Sequence, residues 1–317
     1  MTRRDLLRTT AAAIALNGRI AFAKASQPAT AVNFAVPAGA CDCHTHIIGD
    51  PAKFPFAPNR VYTPETASPE EMSALHRSLH IQRVVIVTPS FYGTDNSATL
   101  WGMKARGPNA RGVAVIDEQT PSQDLDAMDR SGIRGMRLNL ATAGQNDPAV
   151  ARRLLQSSVE RARHLNWHIQ IFTSLAVIAG IKDLVQTSPV PVVFDHFGGA
   201  QASLGLAQTG WADLVGLVRS GSAYVKISAA YRMSNKTPDY PDVASFAKEL
   251  VTANPDRVLW GTDWPHTNST PSASPIAVKP LLAIDDGRLL NQFAAWVPDA
   301  AVRKKILVDN PARLYRF

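Results

Sequence analysis

Cysteine is almost missing from this chain: Cys41 and Cys43 are the only two among 317 residues. That excludes a disulfide-stapled fold and a cysteine-rich zinc module. The pair is also badly spaced for a bridge. Residues two apart on a strand lie about 6.6 Å apart, the outer limit for disulfide Cα atoms. Alternation instead predicts both packing outward against helices. No stretch reaches the apolar length of a membrane span. Neither a G-x-G-x-x-G nor a P-loop pattern occurs. Positive charge is thin outside the N-terminus. The net charge is +7, yet the first 25 residues hold Arg3, Arg4, Arg8, Arg19 and Lys24 against only Asp5. There is no basic helix and no basic–aromatic interleaving, so no nucleic-acid partner is expected. What remains is 45% hydrophobic and 19% charged, a globular composition with ample material for a core.

The N-terminus reads as an export signal. TRRDLLR is followed by the weakly apolar TTAAAIALNGRIAFA and then small residues. The pattern resembles a twin-arginine signal over residues 1–25, with cleavage after Ala23 or Ala25. It predicts a periplasmic protein, exported already folded, which suits free thiols. Residues 26–39 read as a linker, and a single domain follows over 40–317, with no further membrane association.

From Ala40 onward, strand and helix patterns alternate. RVVIVTP, ARGVAVI, GIRGMRLNL, WHIQIFT, PVVFDHF, AYVKIS and RVLWGTDW are apolar runs like strands buried on both faces. With the Cys41 strand they number eight. Between them, SPEEMSALHRSLH has Ser68 as N-cap, Pro69 in the first turn and Glu71 three residues after the cap. DPAVARRLLQSSVERARHL puts Asp147 and Pro148 in the same roles, with Val150, Leu154, Val159 and Ala162 as its apolar stripe. Eight such units in one domain predict an α/β fold, a (β/α)8 TIM barrel. The long stretch from Ile47 to Ala67 leaves the end of the first strand, and Phe54, Phe56 and Tyr62 predict an ordered lid.

Barrel chemistry collects at the C-terminal ends of strands. Alternation places Asp42, His44 and His46 on one face of the first strand. Strand two ends at Ser90, with Tyr92 beyond. Arg137 and Asn139 share a face of strand four, and strand six ends in Asp195 and His196. Tyr231 and Arg232 follow strand seven, and strand eight ends in Asp263 within GTDWPHTN. His76, His80, His164 and His168 are read as packed or surface residues.

DCHTH, DHFGG and WGTDWPH, in this order, resemble the amidohydrolase superfamily. The likeness is greatest to its amidohydrolase-2 branch of 2-pyrone-4,6-dicarboxylate lactonases, sugar-acid lactonases and lactone isomerases. FPFAPNRVYTP, YGTDN, GMRLN and NPARLY extend it over Ala40 to Phe317. The resemblance implies acyl chemistry on a small lactone or carboxylic acid substrate. Two-metal members need a bridging strand-four ligand and a strand-five histidine. Here Arg137 with Asn139, and Phe172 with Thr173, stand in those places, so no binuclear centre is expected. His44, His46, His196 and Asp263 remain. They suit one divalent ion such as Zn²⁺, or a site with no obligatory metal, the reading preferred here. A lactone needs water deprotonated and an oxyanion stabilised. Asp263 is the expected general base, and the three histidines polarise the carbonyl. Arg137 is the expected carboxylate partner, with Tyr62, Ser90, Arg232 and Asn268 as further substrate contacts and His266 orienting Asp263. Arginines of the pyrone lactonases are replaced by Ala143 and Gly199, and a tyrosine by Phe172, which disfavours a substrate with several carboxylates. Three other readings stand beside hydrolysis: a lactone isomerase on the same site, a metal-dependent decarboxylase, and a non-catalytic binder. A Schiff base at Lys226 ranks below its role as an ion-pair partner of Asp42 or Asp195. Nothing in the sequence sets the oligomeric state.

Overall fold

A computed structural model describes residues 25–270 and 274–317. The expected signal segment therefore lies outside the described residues, apart from Ala25. The eight barrel strands are β1 (Cys41–Thr45), β2 (Arg83–Val87), β3 (Ala110–Ala114), β4 (Ile133–Asn139), β5 (His168–Phe172), β6 (Val192–Phe194), β7 (Ala223–Ser228) and β8 (Val258–Gly261). Each pairs parallel with the next in chain order. The seam between β8 and β1 closes just above the strands. Asp263 N–H donates to His44 O and His46 N–H to Trp264 O, both at 2.8 Å. The expected barrel is there, and its closure runs through residues of the expected site.

Helices pack outside: α1 (Pro69–Ser78), α2 (Ser97–Arg106), α3 (Ser122–Arg130), α4 (Pro148–Ala162), α5 (Leu175–Gln186) and α6 (Trp211–Arg219). The short α7 (Ala230–Met233), α8 (Ala244–Ala253) and α9 (Asp286–Trp296) follow. The α1 capping box forms as its spacing predicts: Glu71 N–H donates to Ser68 Oγ, and Ser68 N–H to Glu71 Oε2. Asp147 caps α4 through Ala149 N–H. Of the expected α4 stripe, Ala162 is buried and Val159 packs half-buried against the core, but Val150 and Leu154 give way to their neighbours. Ala151, Leu155, Ser158 and Ala162 are buried, and Leu154 is exposed. Both stripes have helical spacing, and packing against the barrel selects between them.

The cysteines depart from alternation. Cys41 pairs with Arg83 and Asp42 with Val84, but the next partner of Ile86 is Thr45. Cys43 and His44 together therefore oppose Val85, which is a β-bulge. Both cysteines face the lumen, packed with Val85, Val87, Val113, Val193 and Leu259 from across the barrel. Asp42 leaves the histidines' face and accepts from Thr262 Oγ1 at 2.6 Å, with His76 of α1 at 3.2 Å. The extra residue turns His44 inward although its parity matches Asp42. Tyr315 and Leu314 close the lower lumen, which explains NPARLY.

The 47–67 segment is ordered by aromatic contacts. Phe54 stacks on Trp101, and Phe56 lies edge-on to Phe91. A parallel pairing of Thr63–Pro64 with Val278–Lys279 ties it to the loop after β8. Residues 26–39 form no regular element but lie along the barrel: Thr30 donates to Asp285, and Ser26 O accepts from Trp264 Nε1. No helix among the described residues is long and apolar enough to cross a membrane.

Candidate active site

Four side chains meet at the upper rim. β1 supplies His44, the residue just after β1 is His46, the end of β6 supplies His196, and the turn after β8 supplies Asp263. Asp263 has φ 65° and His196 φ 48°, left-handed values that ordinary strand continuation would not give. Both turns swing the chain sharply at the strand end and leave the side chains pointing over the lumen. Gly198 and Gly199 extend the β6 turn with φ 65° and 75°. A Cβ on Gly199 would sit 2.4 Å from Thr173 O, so only glycine fits there.

The two oxygens of Asp263 have different surroundings. Oδ2 accepts from Tyr231 Oη at 2.6 Å and Arg232 Nε at 2.7 Å. Oδ1 is buried without a hydrogen bond. Around it stand Nε2 of His46, His44 and His196 at 3.4, 3.6 and 3.7 Å. Burial raises the Asp263 carboxyl, but Arg232 first, and then the imidazoles, more than offset that and hold it well below the usual range. It is therefore a carboxylate at neutral pH. Burial pushes His44 well below its ordinary value and His196 down to about 4, so both rings are neutral.

The opposite ring nitrogens fix what each imidazole can offer. His46 Nδ1 faces Val87 O at 2.7 Å. A carbonyl only accepts, so Nδ1 carries a proton, and in the neutral ring Nε2 presents a lone pair. His196 Nδ1 faces Ser228 Oγ at 2.8 Å. His44 Nδ1 sits 3.2 Å from both Lys226 Nζ and Asp195 Oδ1. These partners can donate or accept, so His44 and His196 can present either an N–H or a lone pair at Nε2.

A layer of buried charge supports the rim from below. Arg137 donates through Nε and Nη2 to Asp195 Oδ2, at 3.3 and 3.2 Å. Gln170 donates to the same oxygen and accepts from Lys226. Lys226 lies 3.4 Å from Asp195 Oδ1. The lysine is thus an ion-pair partner of Asp195, as expected, and is fully buried.

Three of the four expected ligands, His44, His46 and Asp263, fit one divalent ion, their ligand atoms all lying within 4.8 Å of one another; His196 groups with His44 and Asp195 instead. His44 Nε2 and Asp263 Oδ1 are buried without partners. The His46 lone pair faces Asp263 Oδ1, acceptor against acceptor, which a cation between them would resolve. Bonds of about 2.0–2.1 Å in a tetrahedron separate ligands by about 3.4 Å, close to the spacings here. His46 would also donate its other N–H to a carbonyl, the usual support for a ligating imidazole.

Other expected residues fall in several places. Tyr62, Ser90, Arg137, Asn139, Phe172, Arg232 and Asp263 line the same small cavity, of about 20 Å³, with Thr267 and Ser269. Asn268 does not; its Oδ1 accepts from Thr270 N–H. Arg232 is engaged with Asp263, Ser269 Oγ and Thr267 O. His266 does not orient the Asp263 carboxylate: its Nε2 pairs with Asp286, and Tyr231 and Arg232 do the orienting. Tyr231 was expected at the rim without a role, and Ser228 was not expected. Their positions beside Arg232 and at the end of β7 were the available signals.

Comparison with known proteins agrees with the geometry. Residues 41–317 match the family model described as Amidohydrolase. A 4-sulfomuconolactone hydrolase of Rhizobium radiobacter is 34% identical over 90% of this chain and 92% of its own. A protein of Comamonas testosteroni named as a 2-pyrone-4,6-dicarboxylate hydrolase is 33% identical over 93% and 94%. A D-galactarolactone isomerase of Agrobacterium fabrum is 31% identical over 91% and 94%.

Proposed function

The chain belongs to the amidohydrolase family, and on that premise we propose that it hydrolyses a lactone of a small sugar-acid or carboxylated ring substrate. The observation that carries the reading is the division of Asp263: Oδ2 locked by Tyr231 and Arg232, Oδ1 facing three imidazoles in a rim cavity. Attack by water on the ring carbonyl releases a proton and builds charge on the carbonyl oxygen. Asp263 Oδ1 takes the proton. It is a weak base, but water turns acidic as the new C–O bond forms, so placement matters more than strength. Ser228 donates to Nδ1 of His196, whose Nε2–H then holds the oxyanion. Collapse breaks the ring C–O bond, and the leaving alkoxide recovers the proton from Asp263. Lactone and water become one hydroxy acid.

His44, His46 and Asp263 would hold a divalent ion, which when bound supplies Lewis-acid polarisation of the carbonyl. Arg137, anchored by Asp195, faces the same cavity and serves a substrate carboxylate. Isomerisation, with a hydroxyl of the opened substrate replacing water, uses the same groups, and product analysis separates the two. Export is part of this reading and rests on the TRRDLLR segment alone.

The test is turnover of a panel of aldonic, aldaric and pyrone lactones. On the best substrate, Asp263→Asn is expected to lower kcat by about 10²–10⁴-fold, the usual contribution of a general base. Near wild-type turnover by that variant would remove Asp263 from the mechanism.

A further inference from the structure

A second cavity, of about 180 Å³, adjoins the catalytic one and shares Phe172, His196 and Arg232 with it. It opens over the ends of β5, β6 and β7. Resting on the lactone reading, we propose that this cavity is a subsite for an uncharged, hydroxylated part of the substrate, so that the substrate carries one carboxylate only.

The lining supports this in three ways. First, it offers no free cation among the described residues. Arg232 is its one charged side chain, and that charge is already matched by the Asp263 carboxylate at 2.7 Å. A carboxylate buried there would lose water without gaining an unmatched positive charge, which is costly. Second, the far wall is small and apolar, built by Ala141, Ala200 and Met233. Gly199 completes it and accepts no side chain, because a Cβ would strike Thr173 O. Third, the polar groups are neutral. Ser174 and Gln201 line the cavity, and Thr173 adds a buried hydroxyl with no hydrogen-bond partner among the described residues.

Phe172 separates this subsite from Arg137. Its ring lies edge-on to His196 at 5.2 Å, with the Arg137 guanidinium 5.7 Å from its centroid. A lactone with its carbonyl at the imidazoles thus has one neighbour that takes a carboxylate, Arg137, and one that takes hydroxyls. Aldaric acid monolactones have that distribution; the pyrone dicarboxylate places a second charge in the neutral subsite.

The experiment compares kcat/KM for an aldaric acid monolactone and the pyrone dicarboxylate, on wild-type protein and on Met233→Arg. Wild type is expected to favour the monolactone by at least about 100-fold, and Met233→Arg to narrow that ratio by about tenfold or more. Equal or better turnover of the dicarboxylate by wild type would overturn the subsite while leaving the lactone reading intact. No turnover of any lactone in the panel would overturn that reading itself. If Met233→Arg does not fold, the wild-type ratio alone decides.

Discussion

Asp263 works through its neighbours, and Tyr231 is the one least visible in the sequence. Its hydroxyl donates to Oδ2 at 2.6 Å, leaving Oδ1 to face the cavity. A hydrogen bond to a charged group contributes about 1.5–3 kcal/mol. Tyr231→Phe should therefore lower kcat by about 10- to 100-fold with little change in KM, read from steady-state kinetics. Unchanged kcat would mean that Arg232 alone aims the carboxylate. His44, His46 and Asp263 also predict metal affinity independent of turnover. Calorimetric titration of Zn²⁺ should show one equivalent per chain, lost in His46→Ala. Binding that survives the substitution would place the ion elsewhere. His44, His46, His196 and Asp263 were legible because such residues at strand ends converge in any barrel. Tyr231 was not, because its aim depends on the left-handed turn at Ala229, φ 55°, which no local pattern announces.

Elements set the directions that residue types leave open. The bulge at Cys43–His44 adds one residue to β1, so parity predicts the wrong face for both cysteines and for Asp42. Strand alternation has a period of two, and a single inserted residue inverts it. In α4 the helix, its cap and the inward Ala162 were legible, but not that Ala151 and Leu155 face inward in place of Val150 and Leu154. The β6 turn is constrained in another way. Gly199 combines φ 75° with a close approach to Thr173 O. Gly199→Ala should cost about 1–3 kcal/mol, measured as a lower urea midpoint. No change would show that the turn relaxes without cost. This same constraint keeps the neighbouring cavity free of side chains from that position.

The whole barrel is also a store of buried imidazole. His168 lies at the lower end of β5, edge-on to Tyr315, with neither ring nitrogen hydrogen-bonded. Burial pushes its pKa down to about 3. The unfolded chain takes up that proton near pH 6.5, while the folded one resists it until about pH 3. Stability should thus be full above about pH 6.5 and fall steadily as pH drops towards 3. His196, at about 4, adds to the same slope. Urea midpoints at pH 7, 5.5 and 4.5 measure it, and His168→Gln should flatten it. An equal slope in the variant would assign the acid sensitivity to other groups.

The sequence by itself determined the number of strands, their order and the residue types at their upper ends. Those follow from local periodicity, capping and composition, which act over a few residues. The tertiary structure alone decided which way β1 turns its side chains, which stripe of α4 is buried and that Arg137 is anchored by Asp195. It also decided that Tyr231, not His266, aims Asp263. Each of these depends on groups brought together across the barrel, tens to hundreds of residues apart in the chain. Burial, which desolvates the imidazoles and makes each hydrogen-bond partner count, exists only once the barrel has closed.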